Sequence, residues 1–200
     1  DAQHNANSAY YMSKDADILG RYDKMHLVPF GEYVPLRHLL PFLQVFTPMT
    51  RDLTPGTEMD VFGLPYAGDE EAQFAALICY EDVVPSLVGR FRRRGAEFLV
   101  NITDEGWYRY PGELRQHVAM AVFRAVETRS TVVRAANTGI SCFLDPVGKI
   151  YRAVESRQNG RVRRNVTGAV SAPVRLSTRT PPYVRLGDLF AVICLVLAAG

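Results

Sequence analysis

The sequence predicts an α/β fold in which strands are covered by helices. Short apolar or β-branched runs alternate along the chain with segments whose apolar residues recur at helical spacing. The composition, with 48% hydrophobic and 22% charged residues over 200 positions, supplies enough apolar side chains for a sizeable core. These two observations together indicate one ordinary globular domain.

The N-terminal part is predicted to consist of strands and turns. Residues 8–12 and 18–22 are predicted strands joined by a polar turn. Apolar residues over 33–46 follow a helical spacing, but prolines divide that region into short pieces. Residues 54–56 carry the Thr-Pro-Gly signal of a turn, and a further strand is predicted over 59–64.

The central part alternates strand and helix most regularly. A strand over 74–80 leads to a helix near 85–94, for which Asp82 is a candidate N-cap. A strand over 97–103 follows, then a polar and aromatic loop, and then a helix over 113–129 with one apolar face. This alternation is the main support for the α/β architecture with strands covered by helices.

The C-terminal part begins with a predicted hairpin. Its predicted elements are, in order, a strand over 131–136, a turn at 137–139, a strand over 140–144, a turn at 145–148, a polar loop over 157–164 and an edge strand. The last twelve residues are uncharged and, at about 1.5 Å per residue, reach roughly 18 Å against about 30 Å for a bilayer core. They are therefore either a buried terminal helix or the start of a membrane helix. Arg175, Arg179 and Arg185 just before them favour the membrane helix, and we expect the chain to be a fragment.

The charge balance and the cysteine spacing exclude several classes of protein. A net charge of +2 is too small to indicate a nucleic-acid partner. Arginines cluster at 90–94 and 157–164, where they either contact anionic lipid head groups or form solvated faces. Cys79, Cys142 and Cys194 have neither disulfide nor metal-ligand spacing, and the four histidines are scattered, so no metal is expected.

Cys79 is the candidate nucleophile. It closes the apolar run that starts at Phe74 and is followed at once by acidic residues and then Pro85. This pattern places the thiol where a strand turns into a helix, and the amides of such a turn favour a thiolate. The ammonium group of Lys24, far upstream beside an apolar run, is a candidate for stabilising an oxyanion. The alternative is an inert core cysteine and a surface lysine.

Several linked motifs resemble the nitrilase superfamily and, within it, the apolipoprotein N-acyltransferases. They are, in chain order, Tyr22-Asp-Lys24, Leu27-Val-Pro-Phe-Gly-Glu32-Tyr-Val-Pro35, Ile78-Cys79-Tyr80-Glu81, Asn101-Ile-Thr103, Gly106-Trp107, Gln116-His117, Arg124-Ala-Val-Glu127, Arg134-Ala-Ala-Asn137-Thr-Gly139 and Asp145-Pro-Val-Gly148. The resemblance covers nearly all of residues 7–200. It implies a nitrilase-like α-β-β-α sandwich, incomplete at its N-terminus over 1–180, and a linker with the start of a transmembrane helix over 181–200.

The resemblance also implies the site residues. Cys79 and Lys24 match two members of a glutamate, lysine and cysteine triad, Glu32 matches a second family glutamate, and Tyr80 and Glu81 match the residues after the nucleophile. The glutamate that acts as general base in this family has no matching motif, so we expect it before residue 1 and expect this chain to be inactive without it. Residues 103–106 depart from the usual Ser-Asn-Asp-Ala of relatives, and the roles of Asp104 and Glu105 stay open.

The implied reaction is acyl transfer through a thioester on Cys79, without a cofactor. The implied partners are a phospholipid acyl donor, an apolipoprotein acceptor and the bacterial inner membrane, with the catalytic domain facing the periplasm. Trp107 is either a loop packing residue or a contact for the acyl chain. Two alternatives stay open: a soluble carbon–nitrogen hydrolase that uses Cys79 and Lys24 on an amide or nitrile, and an inactive scaffold.

Overall fold

A computed structural model describes residues 5–36, 39, 42, 52–107, 111–158, 161–163 and 166–199 of the chain. The chain divides into two compact units, Asp1–Asp60 and Val61–Gly200.

The first unit is built on an antiparallel hairpin. Strands β1 (Ser8–Met12) and β2 (Ile18–Asp23) pair with Ser8 opposite Asp23. The turn between them is stabilised by the Ser13 hydroxyl, which accepts the N–H groups of Asp15 and Asp17, both at 3.1 Å. Both predicted strands and the polar turn are confirmed.

The chain after β2 forms loops that approach each other closely. The Gly56 N–H donates to the Lys24 carbonyl at 2.8 Å, and the Leu53 N–H donates to the Glu32 carbonyl at 2.8 Å. A Cβ atom at position 56 would lie 2.1 Å from the Asp23 carbonyl oxygen, so only glycine fits there. Residues 54–56, predicted as a turn, form a loop without a turn, and Gly56 is required there by packing. Most of the segment predicted over 33–46 lies outside the described residues.

The second unit is built on a six-stranded mixed sheet. Its strands are β3 (Phe62–Ala67), β4 (Glu70–Ile78), β5 (Phe98–Thr103), β6 (Thr131–Ala136), β7 (Cys142–Leu144) and β8 (Ile150–Ala153), which lie side by side in that order. The strands β4, β5 and β6 are parallel, and the outer pairs are antiparallel. The crossovers contain helices α1 (Pro85–Arg93) and α2 (Pro111–Thr128).

The core lies between the parallel strands and these two helices. The strands contribute almost continuous apolar runs, as expected for strands that are covered on both faces. The fully buried members are Ala75, Leu77 and Leu99 from the strands, Leu87, Val88 and Phe91 from α1, and Ala121 and Ala125 from α2. The predicted α/β class is confirmed, and the structure adds that the strands joined through α1 and α2 are parallel. The strand predicted over 59–64 begins later, at Phe62.

The C-terminal region differs from the prediction in two places. The predicted polar loop over 157–164 contains a short antiparallel pair, β9 (Ser156–Gln158) and β10 (Arg161–Arg163). The edge strand predicted after it is wrong, because none of residues 166–180 is a strand. Polar residues alone had indicated a loop, yet the pairing of two strands is made by backbone groups and needs no apolar side chains.

Two helices end the described chain, α3 (Pro182–Leu186) and α4 (Leu189–Ala199). No residue of α4 is buried in this unit, so the alternative of a buried terminal helix is wrong. Among the helices that the structure describes, none combines the length and the apolarity needed to cross a membrane. The membrane helix and the boundary at 180/181 stay predictions.

Candidate active site

Cys79 lies at the carboxyl end of a central parallel strand. Strand β4 ends at Ile78, and Cys79 is the first residue of a one-turn 3-10 helix, Cys79–Val83. Carboxyl ends of parallel strands are the usual place for ligand and catalytic groups in open α/β sheets. The predicted strand-to-helix position is therefore confirmed, although a 3-10 turn separates Cys79 from α1.

The Cys79 backbone is in the left-handed region, with φ at 53°. A residue other than glycine costs about 1–3 kcal/mol in such a conformation, so the surrounding structure must hold it there. Two side chains contact this backbone. The Glu81 carboxylate oxygen Oε2 accepts the Ile78 N–H at 2.8 Å, and the Asn101 amide Nδ2 donates to the Cys79 carbonyl at 3.2 Å.

Glu81 and Tyr80 follow the nucleophile but differ in environment. The Glu81 side chain is fully buried beneath the turn, whereas Tyr80 is 36% exposed. Glu81 binds the amide next to Cys79 and so constrains the backbone of the turn; its role in catalysis stays a prediction. The stabilisation of an oxyanion by the Tyr80 N–H stays a prediction.

Lys24 and Glu32 form a buried ion pair in the first unit. The Lys24 side chain is 1% exposed, and its Nζ donates to Glu32 Oε1 at 2.9 Å and to Oε2 at 2.7 Å. The same carboxylate accepts the Val28 N–H at 2.8 Å and the Asn7 side-chain amide at 3.1 Å. The buried Lys24 ammonium thus has the Glu32 carboxylate as its anionic partner, which a buried charge requires.

Four buried charged residues lie behind the nucleophile turn in the second unit, and we call Asp82, Glu105, His117 and Arg134 the buried ion cluster. Asp82 accepts His117 Nε2 at 2.8 Å through Oδ1 and Arg134 Nη1 at 2.9 Å through Oδ2. Glu105 Oε1 lies 2.7 Å from His117 Nδ1 and also accepts Arg134 Nη2. Each member is at most 5% exposed.

The cluster raises the pKa of His117. Burial by itself disfavours the imidazolium, but the hydrogen bonds with Asp82 and then Glu105 outweigh it and lift the pKa above its ordinary value, against a smaller opposing effect of Arg134. With both ring nitrogens protonated, His117 donates to both carboxylates. The cluster then holds two cations and two anions and is electrically neutral.

Sequence reasoning did not find this cluster. Asp82 is not an N-cap, because α1 has Val84 at that position without a side-chain cap, and both Asp82 oxygens bind the cluster instead. One signal in the sequence could have indicated the cluster: several charged residues lie within or next to segments predicted to be buried, and buried charges need partners. On α2, Arg124 Nη2 lies 2.8 Å from Glu127 Oε1, as is usual for opposite charges three positions apart on a helix.

The loop after β5 separates its two acidic residues. Asp104 stays near the surface and accepts the Gly106 N–H at 2.9 Å, whereas Glu105 turns inward to the buried ion cluster. Trp107 is 74% exposed, so its interpretation as a packing residue is wrong. Gly139, with φ at 109°, closes over this loop, and a Cβ there would lie 1.7 Å from Glu105 Oε2.

Acidic and histidine side chains at such distances raise the question of a metal. Among the residues that the structure describes, no group of three or more His, Cys, Asp or Glu is arranged to hold a metal ion. In the buried ion cluster the guanidinium of Arg134 stands between the two carboxylates and binds both.

Comparison with known proteins shows the family to which the chain belongs. The sequence profile of the carbon-nitrogen hydrolase family matches residues 1–169. The apolipoprotein N-acyltransferase of Geobacter metallireducens is 38% identical over 193 residues, which are 96% of this chain and 34% of that protein. That of Rickettsia prowazekii is 33% identical over 191 residues, 96% of this chain and 36% of that protein. The chain thus spans about a third of the length of the curated relatives it matches.

Solved structures of low sequence identity share the fold. Nit3 of Saccharomyces cerevisiae, a member of branch 10 of the nitrilase superfamily, matches with a TM-score of 0.54 and 19% identity over 74% of this chain and 49% of that one. The NitFhit protein of C. elegans matches with a TM-score of 0.55 and 23% identity over 75% of this chain and 35% of that one.

Proposed function

The chain belongs to the carbon-nitrogen hydrolase family, and from this premise we propose that it transfers an acyl chain from a phospholipid to the N-terminal diacylglyceryl-cysteine of an apolipoprotein. The observation that carries the proposal is the left-handed turn that presents Cys79 at the carboxyl end of β4, with Glu81 fixing the adjacent amide. The identity of a third or more to curated apolipoprotein N-acyltransferases, over 96% of the chain, supports the acyl acceptor.

The first half of the reaction acylates Cys79. The thiolate attacks the ester carbonyl carbon of the phospholipid, and the carbonyl oxygen becomes an oxyanion in the tetrahedral intermediate. When the C–O ester bond breaks, the lysophospholipid alkoxide leaves and takes up a proton. A thioester on the sulfur remains.

The second half transfers the acyl chain. The neutral α-amino group of the diacylglyceryl-cysteine attacks the thioester carbon, the C–S bond breaks and the amine loses a proton. An amide and the free Cys79 thiolate result, so the protons taken up and released over the two halves balance. We assign this proton transfer to the general-base glutamate that the resemblance implies.

We assign to Lys24 the electrostatic stabilisation of the oxyanion, and to Glu32 the positioning of Lys24. A buried ammonium that is held by both oxygens of one carboxylate has few alternative orientations, which suits a preorganised electrophilic group. Tyr80 would contribute its backbone N–H to the same oxyanion, and Trp107, with its exposed ring, is proposed to contact the acyl chain.

The proposed location is the bacterial inner membrane, with the catalytic domain on the periplasmic side. The exposed apolar side chains of α4 support it, because both the phospholipid donor and the lipoprotein acceptor reside in a bilayer. The second support is the similarity of the chain to curated apolipoprotein N-acyltransferases.

The test is direct detection of the acyl-enzyme. The full-length enzyme is incubated with phospholipid, quenched in acid and analysed by mass spectrometry of the peptide that carries Cys79. We expect an acyl adduct on Cys79 that is absent in Cys79→Ser and retained in Cys194→Ser, a variant of an exposed cysteine. Lys24→Met is expected to slow adduct formation on the order of a hundredfold, as for loss of an oxyanion donor.

Two outcomes would contradict the proposal. An adduct that persists in Cys79→Ser would identify another nucleophile. Rapid hydrolysis of a simple amide or nitrile, without transfer from phospholipid to the lipoprotein amine, would favour the soluble hydrolase alternative.

A further inference from the structure

We infer that His117 and Arg134 are positioning residues for the nucleophile, which they hold through Asp82 of the Cys79–Val83 turn. The inference rests on the proposed role of Cys79. It concerns the second unit alone.

The turn that carries Cys79 needs external support. Its first residue has a left-handed backbone, a conformation that relaxes unless neighbouring contacts fix it. Glu81 and Asn101 hold the backbone on either side of the thiol. Asp82, three residues after Cys79, is the member of the turn that reaches into the buried ion cluster.

Both carboxylate oxygens of Asp82 are bound by groups from well-anchored elements. Oδ1 accepts His117 Nε2 at 2.8 Å from α2, and Oδ2 accepts Arg134 Nη1 at 2.9 Å from β6. Strand β6 pairs along its whole length with β5, and the core face of α2 includes the fully buried Ala121. A two-point attachment to these elements fixes both the position and the rotation of the turn.

Glu105 completes the cluster from the opposite side. It binds His117 Nδ1 at 2.7 Å and Arg134 Nη2, so that each cation is held between two carboxylates. The charged groups that face His117 are thus Asp82 from the turn, Glu105 from the loop after β5 and Arg134 from β6. A neutral His117 keeps one N–H only, so one of the two carboxylates then loses its histidine donor and is held by Arg134 alone.

A role in stability alone does not account for this arrangement. Buried ion networks contribute little net stability compared with apolar side chains of similar volume, whereas they impose defined directions on every member. The important orientation is that of the Asp82 side chain, because Asp82 lies in the same five-residue turn as Cys79.

The experiment measures the reactivity of Cys79 without any lipid substrate. Full-length enzyme is treated with iodoacetamide in the presence of added N-acetylcysteine as a reference thiol, and the alkylation of the Cys79 peptide is followed by mass spectrometry. We expect His117→Gln and Arg134→Gln to lower the relative rate about tenfold, because the turn leaves its productive geometry. Arg134→Lys, which retains a cation, is expected to recover part of the loss.

Arg92→Met is the matched control. Arg92 is a buried arginine of the same unit, but its guanidinium binds the carbonyls of Ala96 at 2.7 Å and Arg179 at 2.8 Å, away from the Cys79 turn. This variant is expected to lower the melting temperature and to leave the relative alkylation rate within twofold of the wild type.

A second measurement uses the unmodified enzyme, in case a cluster variant does not fold. Hydrogen exchange of the amides of residues 79–83 is compared with that of α1 over a pH series, so that the intrinsic pH dependence cancels. We expect exchange in the turn to increase relative to α1 as His117 loses its proton. A constant ratio, or full alkylation rates in folded His117→Gln and Arg134→Gln, would overturn the inference.

The outcomes also separate this inference from the proposed function. If no acyl adduct forms on wild-type Cys79 but its alkylation depends on His117, the positioning role stands and the acyltransferase proposal fails. If the adduct forms and alkylation is independent of His117, the reverse holds.

Discussion

Replacing Glu32 by Gln tests whether the ion pair with Lys24 is the principal constraint on that lysine. The substitution keeps the shape of the side chain but removes its charge, and the Lys24 ammonium stays buried at 1% exposure without an anionic partner. Removing one partner of a buried pair typically costs about 3–5 kcal/mol. Since the Glu32 side chain is 16% exposed, we expect the lower end of that range, about 3 kcal/mol.

The assay is thermal unfolding of the purified protein, followed by near-ultraviolet circular dichroism. For a chain of this size, about 3 kcal/mol corresponds to a decrease in melting temperature of roughly 6–12 °C. The matched control is Glu58→Gln, an exposed carboxylate of the same unit, which is expected to change the free energy of unfolding by less than about 0.5 kcal/mol.

The double variant Lys24→Met with Glu32→Leu sharpens the test. It leaves no uncompensated buried charge, so it is expected to be more stable than Glu32→Gln alone. A melting temperature of Glu32→Gln within 2 °C of the wild type would refute the reasoning. So would a double variant whose loss of stability equals the sum of the losses caused by its two single substitutions.

Two further predictions concern the second unit. Gly139→Ala is expected to lower the free energy of unfolding by about 3 kcal/mol or more, because the new methyl group overlaps the fixed Glu105 carboxylate. The control is Gly68→Ala, also at positive φ but with open space around it, which is expected to cost only about 1 kcal/mol in a parallel melting experiment. Equal effects of the two substitutions would contradict the contact between position 139 and Glu105. Because folding raises the pKa of His117, its contribution to stability is fully present below the unfolded-state value near ~6.5 and is lost as the pH rises through the higher folded-state value. The difference in melting temperature between wild type and His117→Gln should therefore shrink as the pH increases from about 6 to 9, and a difference that grows with pH would show the opposite linkage.

Much of the second unit could be predicted because its signals are local. The strands β5 and β6 and the helices α1 and α2 were predicted to within about two residues, since apolar runs and helical spacing are set by which side chains face the core. Elements whose partner is backbone alone were missed. The pair β9 and β10 has no apolar alternation, so nothing local distinguished it from a loop.

The site shows the same division between local and distant causes. The candidates Cys79, Glu81, Lys24 and Glu32 were chosen from short motifs, and the contacts that Glu81 and Glu32 make lie within ten positions in the sequence. The contact between Asp82 and Arg134 spans 52 positions and depends on how β4 and β6 are placed in the sheet. The sequence around Asp82 is equally compatible with a helix cap, and only the tertiary structure decides between the two.

The strained turn at Cys79 depends on both the local motif and the distant contacts. A residue in the left-handed region cannot be stable through its own neighbours alone, because local interactions favour the relaxed backbone. Its presence at Cys79 therefore requires contacts from elsewhere in the fold, and the buried Glu81, Asn101 and Asp82 are where those contacts are made. The motif marks the candidate nucleophile, whereas the residues that hold its turn in place are set by the topology of the sheet. For this family the search for residues that tune the nucleophile should accordingly start from the partners of the turn in space rather than from its neighbours in sequence.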